Sequence, residues 1–160
     1  MPVSENEFRE ALSRVASGVS VVTTRDSSGR SHGITVSAFC SLSLDPPLVL
    51  ICIEKATASH YAFHESRSFI VNILDESQQD ISERFAAPAA DRFAATDFEP
   101  GGDGIPRLRT ALAVLECRVT DVCDGGDHTI FVGSVERAAA REGAPLVYFC
   151  SQCGTTMTGQ

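Results

Sequence analysis

The apolar positions of this chain fall into short runs whose period changes from helical to strand-like and back. Ser4-Glu5-Asn6-Glu7 is a capping-box pattern, and Phe8, Ala11, Leu12, Val15 and Ala16 recur behind it at helical spacing. The pattern predicts an N-terminal helix stopped by Gly18. Val19 to Arg25 reads as a strand, and Asp26-Ser27-Ser28-Gly29 as the turn into the next one. That strand runs into the most specialised stretch of the chain, Gly33 to Ile53, GITVSAFCSLSLDPPLVLICI. Its first half sets Thr35, Ser37, Ser41 and Ser43 between apolar residues, and its second, Leu48 to Ile53, is a continuous apolar run of the buried-strand kind. Asp45-Pro46-Pro47 separates them by an extended bend, since proline fixes its own φ and restricts the residue before it.

A short helix to about Glu65 follows, with Thr57 or Ser59 as its N-cap. Ser68 to Leu74 predicts another strand, and Asp75 to Ala87 a helix with Ile81 and Phe85 on one face. Residues 88–110, rich in Ala, Gly, Pro and Asp, read as an irregular connection or lid. Two long strands, about 111–123 and 128–140, are joined through Asp124-Gly125-Gly126-Asp127 as a hairpin. In the first, Ala113, Leu115, Cys117 and Val119 alternate with Val114, Glu116, Arg118 and Thr120, which predicts one buried face. Gly143 then turns the chain into a last strand, Pro145 to Phe149. Many strands, few helices and antiparallel connections predict a closed or split barrel with flanking helices.

Composition narrows the class. A chain of 160 residues, 43% apolar, fits one globular domain, and no apolar run is long enough to cross a bilayer. A formal charge of −8 disfavours nucleic acid and anionic membrane as partners. The N-terminus shows no basic segment followed by an apolar one, so the expected compartment is the cytoplasm. Six cysteines, mostly within apolar runs, are there expected to be reduced and buried. Cys150-Ser-Gln-Cys153 has metal-like or dithiol spacing, but no second ligand pair accompanies it, and an incidental pair in a C-terminal tail is the alternative. No metal site is expected.

Three places carry candidate chemistry. Small hydroxyl residues in Gly33–Ser43 let a ligand approach the backbone and bond to phosphate or ring heteroatoms, although a Ser-rich edge strand has the same look. Lys55, the single lysine of the chain, stands before Thr57, Ser59 and a helix start, a combination suited to phosphate; the alternative is a capped surface helix with one exposed lysine. His128 opens a strand beside glycines in GGDHTIFVG, able to reach a site left open by missing side chains, or else bonded only to Asp127. His32, His60 and His64 show no triad order or ligand spacing, and neither GxGxxG nor GxxxxGK[ST] occurs.

Taken together, FREALSRVASGVSVVTT, HGITVSAFCSLSLDPPLVLICI, EKATASH, ERFA followed by DRF, and GDHTIFVG resemble the flavin reductase family, from about Phe8 to Tyr148 and in the family's order. The resemblance implies a mainly β, antiparallel split β-barrel with flanking helices, the flavin-reductase-like FMN-binding fold, in a single domain over residues 1–160. It implies a homodimer that uses NADH or NADPH to reduce FMN or FAD and supplies the reduced flavin to a separate flavin-dependent monooxygenase. It places Thr35, Val36, Ser37, Ala38 and Ser41 along the isoalloxazine and ribityl chain, and Cys52, Ile53, Lys55, Thr57 and Ser59 near the phosphate. Phe85 or Phe93 would lie against the flavin, and His128, with His32, Gly33 and Tyr148, around the nicotinamide. Nicotinamide C4 must face flavin N5, so the protein's task is geometric and needs no strong base. Two departures stand out: YFCSQCGTTM replaces the family's Tyr- and Gly-containing tail, with Tyr148 in part of its place, and Lys55 stands where arginine is common. A same-fold flavoprotein with tightly held flavin reducing another acceptor, and a non-catalytic flavin- or haem-binding module, are the alternatives.

Overall fold

The computed structural model describes residues 3–88 and 91–155. Helix α1 (Glu5–Leu12) is followed by strands β1 (Ser17–Gly18), β2 (Ser20–Arg25), β3 (Ser31–Val36), β4 (Phe39–Leu44) and β5 (Pro47–Glu54). Helix α2 (His60–Ser66), strand β6 (Ser68–Ile73) and helix α3 (Gln79–Ala86) come next, then β7 (Phe98–Pro100), a 3-10 turn (Gly102–Gly104) and β8 (Pro106–Leu108). The long pair β9 (Ala113–Gly125) and β10 (His128–Ala140) precedes β11 (Leu146–Phe149) and β12 (Gln152–Thr155). Seven strands form one antiparallel sheet in the order β3-β2-β6-β9-β10-β5-β4, with β1-β11-β12 and β7-β8 as smaller sheets, a split-barrel architecture.

The central strands read as near-continuous apolar runs because both their faces are covered. Val22 and Val71 point into the barrel interior with Ile51, Ile53, Phe69 and Phe131, and Phe63 of α2 joins them. Val21 and Ile70 point the other way, against Ile81 and Phe85 of α3 and Leu108 of β8. Gly133 faces the interior so closely that a Cβ there would lie 2.6 Å from the Phe69 ring. Asn72, fully buried in β6, is satisfied on both ends of its amide: Nδ2 donates to the Val21 carbonyl (2.9 Å) and Oδ1 accepts from the Leu108 N–H (2.7 Å). It thereby fastens β8 to the sheet.

Several sequence expectations hold and several do not. The capping box is present, with Ser4 Oγ accepting from Glu7 N–H and Glu7 accepting from Ser4 N–H. The helix, however, ends at Leu12: the Ser13 hydroxyl bonds back to the Glu10 carbonyl, Ser13 O accepts from Cys150 N–H, and Gly18 pairs with Val147 in a strand. Helix α3 starts at Gln79, because Asp75 is drawn into a bridge with Pro145 and its carboxylate accepts from Ser77 and Arg141. The region 88–110, of which Ala89 and Ala90 lie outside the described residues, is not a lid over its second half: Ile105 and Leu108 are core residues. Strand β9 buries both faces in its first half, Val114 against α3 and β8 and Cys117 in the barrel, rather than one. The expected tail becomes a hairpin partner: Tyr148 pairs with Cys153 across a turn in which Cys150 and Ser151 both take positive φ, 49° and 60°. Residues 156–160 of that segment lie outside the described residues. No helix among the described residues is long and apolar enough to cross a membrane.

Candidate functional site

The β9–β10 turn, Asp124-Gly125-Gly126-Asp127, is anchored from the end of β5. Lys55 donates its main-chain N–H to the Asp127 carbonyl (2.9 Å), and its ammonium donates to the Gly126 carbonyl (2.6 Å) and to the Asp124 carboxylate. The hydrogen bond from Lys55, more than its charge alone, holds Asp124 below the usual carboxylate range. His128, half-buried and in register with Glu54, hydrogen-bonds through Nδ1 to Asp127 Oδ1 at 2.7 Å, which lowers Asp127 in the same way. One residue on, Thr129 Oγ1 lies 2.9 Å from His60 Nε2 at the start of α2. Burial, then the neighbouring His64 and Lys55, depress the proton affinity of His60.

Beside this turn lies a cleft of about 720 Å³. Ser37 and Ala38, where β3 passes into β4, line it together with Asp127, Tyr148 and Ser151. Helix α1 supplies the opposite wall: it buries no side chain, and Phe8, Leu12 and the following Val15 are 55%, 51% and 60% exposed along the opening. The volume lies within the range that accommodates organic cofactors, and mixed apolar walls with hydroxyls, two carboxylates (Glu5 and Asp127) and Arg9 suit a planar heterocycle carrying a polar chain. Among the described residues no group of three or more His, Cys, Asp or Glu converges as metal ligands would.

Comparison with known proteins gives the family. The family described as "Flavin reductase like domain" matches residues 12–156. The chain belongs to the flavin reductase family. It is 42% identical over 153 residues to the reductase component of the 4-nitrophenol 4-monooxygenase/4-nitrocatechol 2-monooxygenase of Rhodococcus opacus, covering 96% of this chain and 82% of that protein. It is 42% identical over 128 residues to a Rhizobium meliloti (strain 1021) protein named "Probable flavin reductase", covering 80% of this chain but only 41% of that longer one. The solved NADH:FAD oxidoreductase SgcE6 of Streptomyces globisporus, in complex with NAD and FAD fragments, superimposes with a TM-score of 0.90 at 30% identity, over 99% of this chain and 98% of that one.

In this flavin reductase family member the residues singled out from sequence fall into four places. Ser37, Ala38 and Tyr148 share the cleft with Asp127, the neighbour of His128. Lys55 lies on the turn beside it, with half-buried Thr57 and buried Ser59 leading into α2; the Ser59 side chain makes no capping bond. A third group is internal. Val36 and Ile53 point into the barrel, so any contact they make with a ligand runs through main-chain atoms. Thr35 Oγ1 donates to the Ser82 carbonyl (2.6 Å), and Gly33 lies under Phe85 and Phe93, whose rings a Cβ would meet at 2.8 and 3.1 Å. Phe85 is itself buried, edge-on to Phe93 and Phe98. Cys52 and Ser41 are exceptions to these places: Cys52 is half-buried on the face of β5 opposite the barrel interior, its thiol pushed up by burial, and Ser41 is exposed on β4.

His32 forms the fourth place alone, at the β2–β3 turn. Its Nε2 is 2.8 Å from Asp26 Oδ2, and Tyr61 donates to the same carboxylate at 3.1 Å. Hydrogen bonds from Ser28 first and His32 second hold Asp26 far below the ordinary range. Sequence reasoning passed over Asp124 and the apolar stripe of α1. The first had a signal, a carboxylate beside a glycine turn in a chain with one lysine. The second is invisible in sequence, because a stripe facing an open cleft has the same period as one facing a core.

Proposed function

We propose that this chain is an NADH-dependent flavin reductase that transfers a hydride to a diffusible flavin, FMN or FAD, and supplies the reduced flavin to a separate monooxygenase component. The observation that carries the reading is the cleft that brings Ser37, Ala38, Tyr148 and Asp127 to one cavity, with His128 hydrogen-bonded to Asp127 beside it. The flavin supplies the redox chemistry, accepting hydride at N5 from nicotinamide C4. The protein's residues bind and orient. Ser37, Ala38 and Ser41 border the ring and ribityl chain, with Thr35, Val36, Cys52 and Ile53 shaping the strands beneath. Lys55, Thr57 and Ser59 take the phosphate. Gly33, Phe85 and Phe93 form the packed floor that keeps β3 in place. Nδ1 of His128 is engaged by Asp127, which leaves Nε2 as the ring nitrogen turned to the ligand, the partner proposed for the nicotinamide carboxamide. Tyr148 covers the opening of the same cleft, and His32 contributes from the β2–β3 turn by fixing that end of β3.

The same reading makes the chain a homodimer. Leu48, Leu50, Cys52, Ile130 and Val132 form a half-exposed apolar face on the side of β5 and β10 opposite the barrel interior, continued by exposed Leu42 on β4. A second copy of the chain accounts for such a face. A reduced nicotinamide as donor supports our assignment of the activity to the cytoplasm.

Initial rates of NADH and NADPH oxidation, measured anaerobically with FMN, FAD and riboflavin in turn, test the proposal. Saturable, multiple-turnover reduction of added flavin is expected. Flavin binding without oxidation of either nicotinamide overturns it, and reduction limited to one equivalent of retained flavin favours a fixed cofactor with another acceptor.

A further inference from the structure

We propose that Asp124 is a positioning residue which, through Lys55, couples the flavin-phosphate corner of the site to the turn that carries His128. The proposal rests on the reading above of Lys55 as a phosphate contact and His128 as a nicotinamide contact. Lys55 holds the β9–β10 turn by three hydrogen bonds, one from its main chain to Asp127 and two from its ammonium, to Asp124 and Gly126. An ammonium has three N–H donors, so one remains for an incoming phosphate. Lys55 can therefore take up a phosphate without releasing the turn. Asp127, the residue whose carbonyl Lys55 holds, is also the one whose carboxylate orients His128.

Global stability does not explain the pair. The Lys55 and Asp124 side chains are 41% and 79% exposed, and ion pairs this open contribute little to folding. Their geometry is specific all the same: the carboxylate draws the ammonium to the turn, and the Gly126 carbonyl fixes its direction. Asp124 also opposes the phosphate electrostatically, since it neutralises the one cation that Lys55 brings to the corner. Its two effects thus have opposite signs, assisting His128 and moderating phosphate binding.

That opposition makes the role measurable. In Asp124→Ala, the KM for NADH should rise roughly 3- to 10-fold, the scale of one lost hydrogen bond. The Kd for FMN, read by quenching of flavin fluorescence, should stay level or fall, and the Kd for riboflavin, which lacks the phosphate, should not change. Asp124→Asn keeps an acceptor for the ammonium and should recover part of the NADH effect. In a His128→Ala background, Asp124→Ala should add nothing further, because both changes remove one interaction. An unchanged KM for NADH in Asp124→Ala, a parallel weakening of FMN and NADH, or additivity with His128→Ala overturns the proposal. A His128→Ala variant with an unaltered NADH KM sinks the histidine reading and the coupling together. A raised KM in His128→Ala with none in Asp124→Ala sinks only the coupling.

Discussion

One ring nitrogen of His128 is held by Asp127, and the other is the one we propose for the nicotinamide. Its replacement by alanine should lower kcat/KM for NADH by about 1–3 kcal/mol, the range for an unpaired buried polar group, with flavin affinity little changed. Single-turnover reduction of pre-bound flavin checks this; an unaltered rate across the whole NADH range would remove the role. His60 gives a pH dependence. Burial depresses its proton affinity below the ordinary value of 6.5, so between the folded and unfolded values the unfolded chain binds the extra proton. Its contribution is complete above about pH 6.5 and is lost as the pH falls through the folded value. Melting temperatures should therefore decline on acidification below that point, and less steeply in His60→Gln, which retains a partner for Thr129.

Residue identities were legible in the sequence where chemistry is local and illegible where it depends on a distant neighbour. The hydroxyl-rich stretch, the single lysine and the histidine after the Gly-Gly turn could each be picked out, and the structure brings Ser37, Ala38 and Lys55 to the vicinity of the Asp127–His128 turn. Nothing local distinguished Thr35, whose hydroxyl is spent on the Ser82 carbonyl, from Ser37, which lines the cleft one turn of the pleat away. His32 and His128 likewise both follow turns, but only the folded arrangement separates a histidine buried against Asp26 from one left part-exposed beside Asp127.

At the scale of elements, local signals placed most strands and both sides of the main hairpin, and tertiary pairing moved the ends. α1 stops short of its apolar period because β1 is claimed by β11, and α3 starts late because Asp75 is claimed by Pro145 and Arg141. The β11–β12 hairpin carries a testable defect. Cys150 and Ser151 both occupy left-handed backbone, a conformation that Asn and Gly tolerate far better. Replacing the pair with Asn-Gly should stabilise the protein by about 1 kcal/mol, seen as a raised denaturant midpoint with an unchanged slope. A lowered midpoint would mean that the side chains, for example Cys150 Sγ against the Arg14 guanidinium (3.6 Å), matter more than the backbone.

For the molecule as a whole, sequence resemblance and periodicity gave the architecture, but not which sheet faces stay open. The half-exposed apolar face of β5 and β10 tests the dimer. Leu50→Glu leaves the barrel interior untouched, since its neighbours Val49 and Ile51 supply the inward side chains. It should convert the proposed homodimer to a monomer by light scattering at micromolar concentration while far-ultraviolet circular dichroism is retained. An unchanged mass would place the subunit contact elsewhere.

Strands β2 and β6 lie between two cores and pair with each other along Ser20–Thr23 and Ile70–Ile73. Their amide protons have no route to solvent short of global opening, so hydrogen–deuterium exchange there should report the full unfolding free energy. The outer part of the β11–β12 hairpin, from Val147 on, pairs only with the two-residue strand β1 and is anchored in the core at its base by Leu146, so it should exchange by a smaller local opening. The cleft would then be bounded by walls of unequal lifetime: β3 runs on from strand β2 of the double-sided core, whereas the wall that carries Tyr148 is expected to open and close many times before the barrel unfolds once.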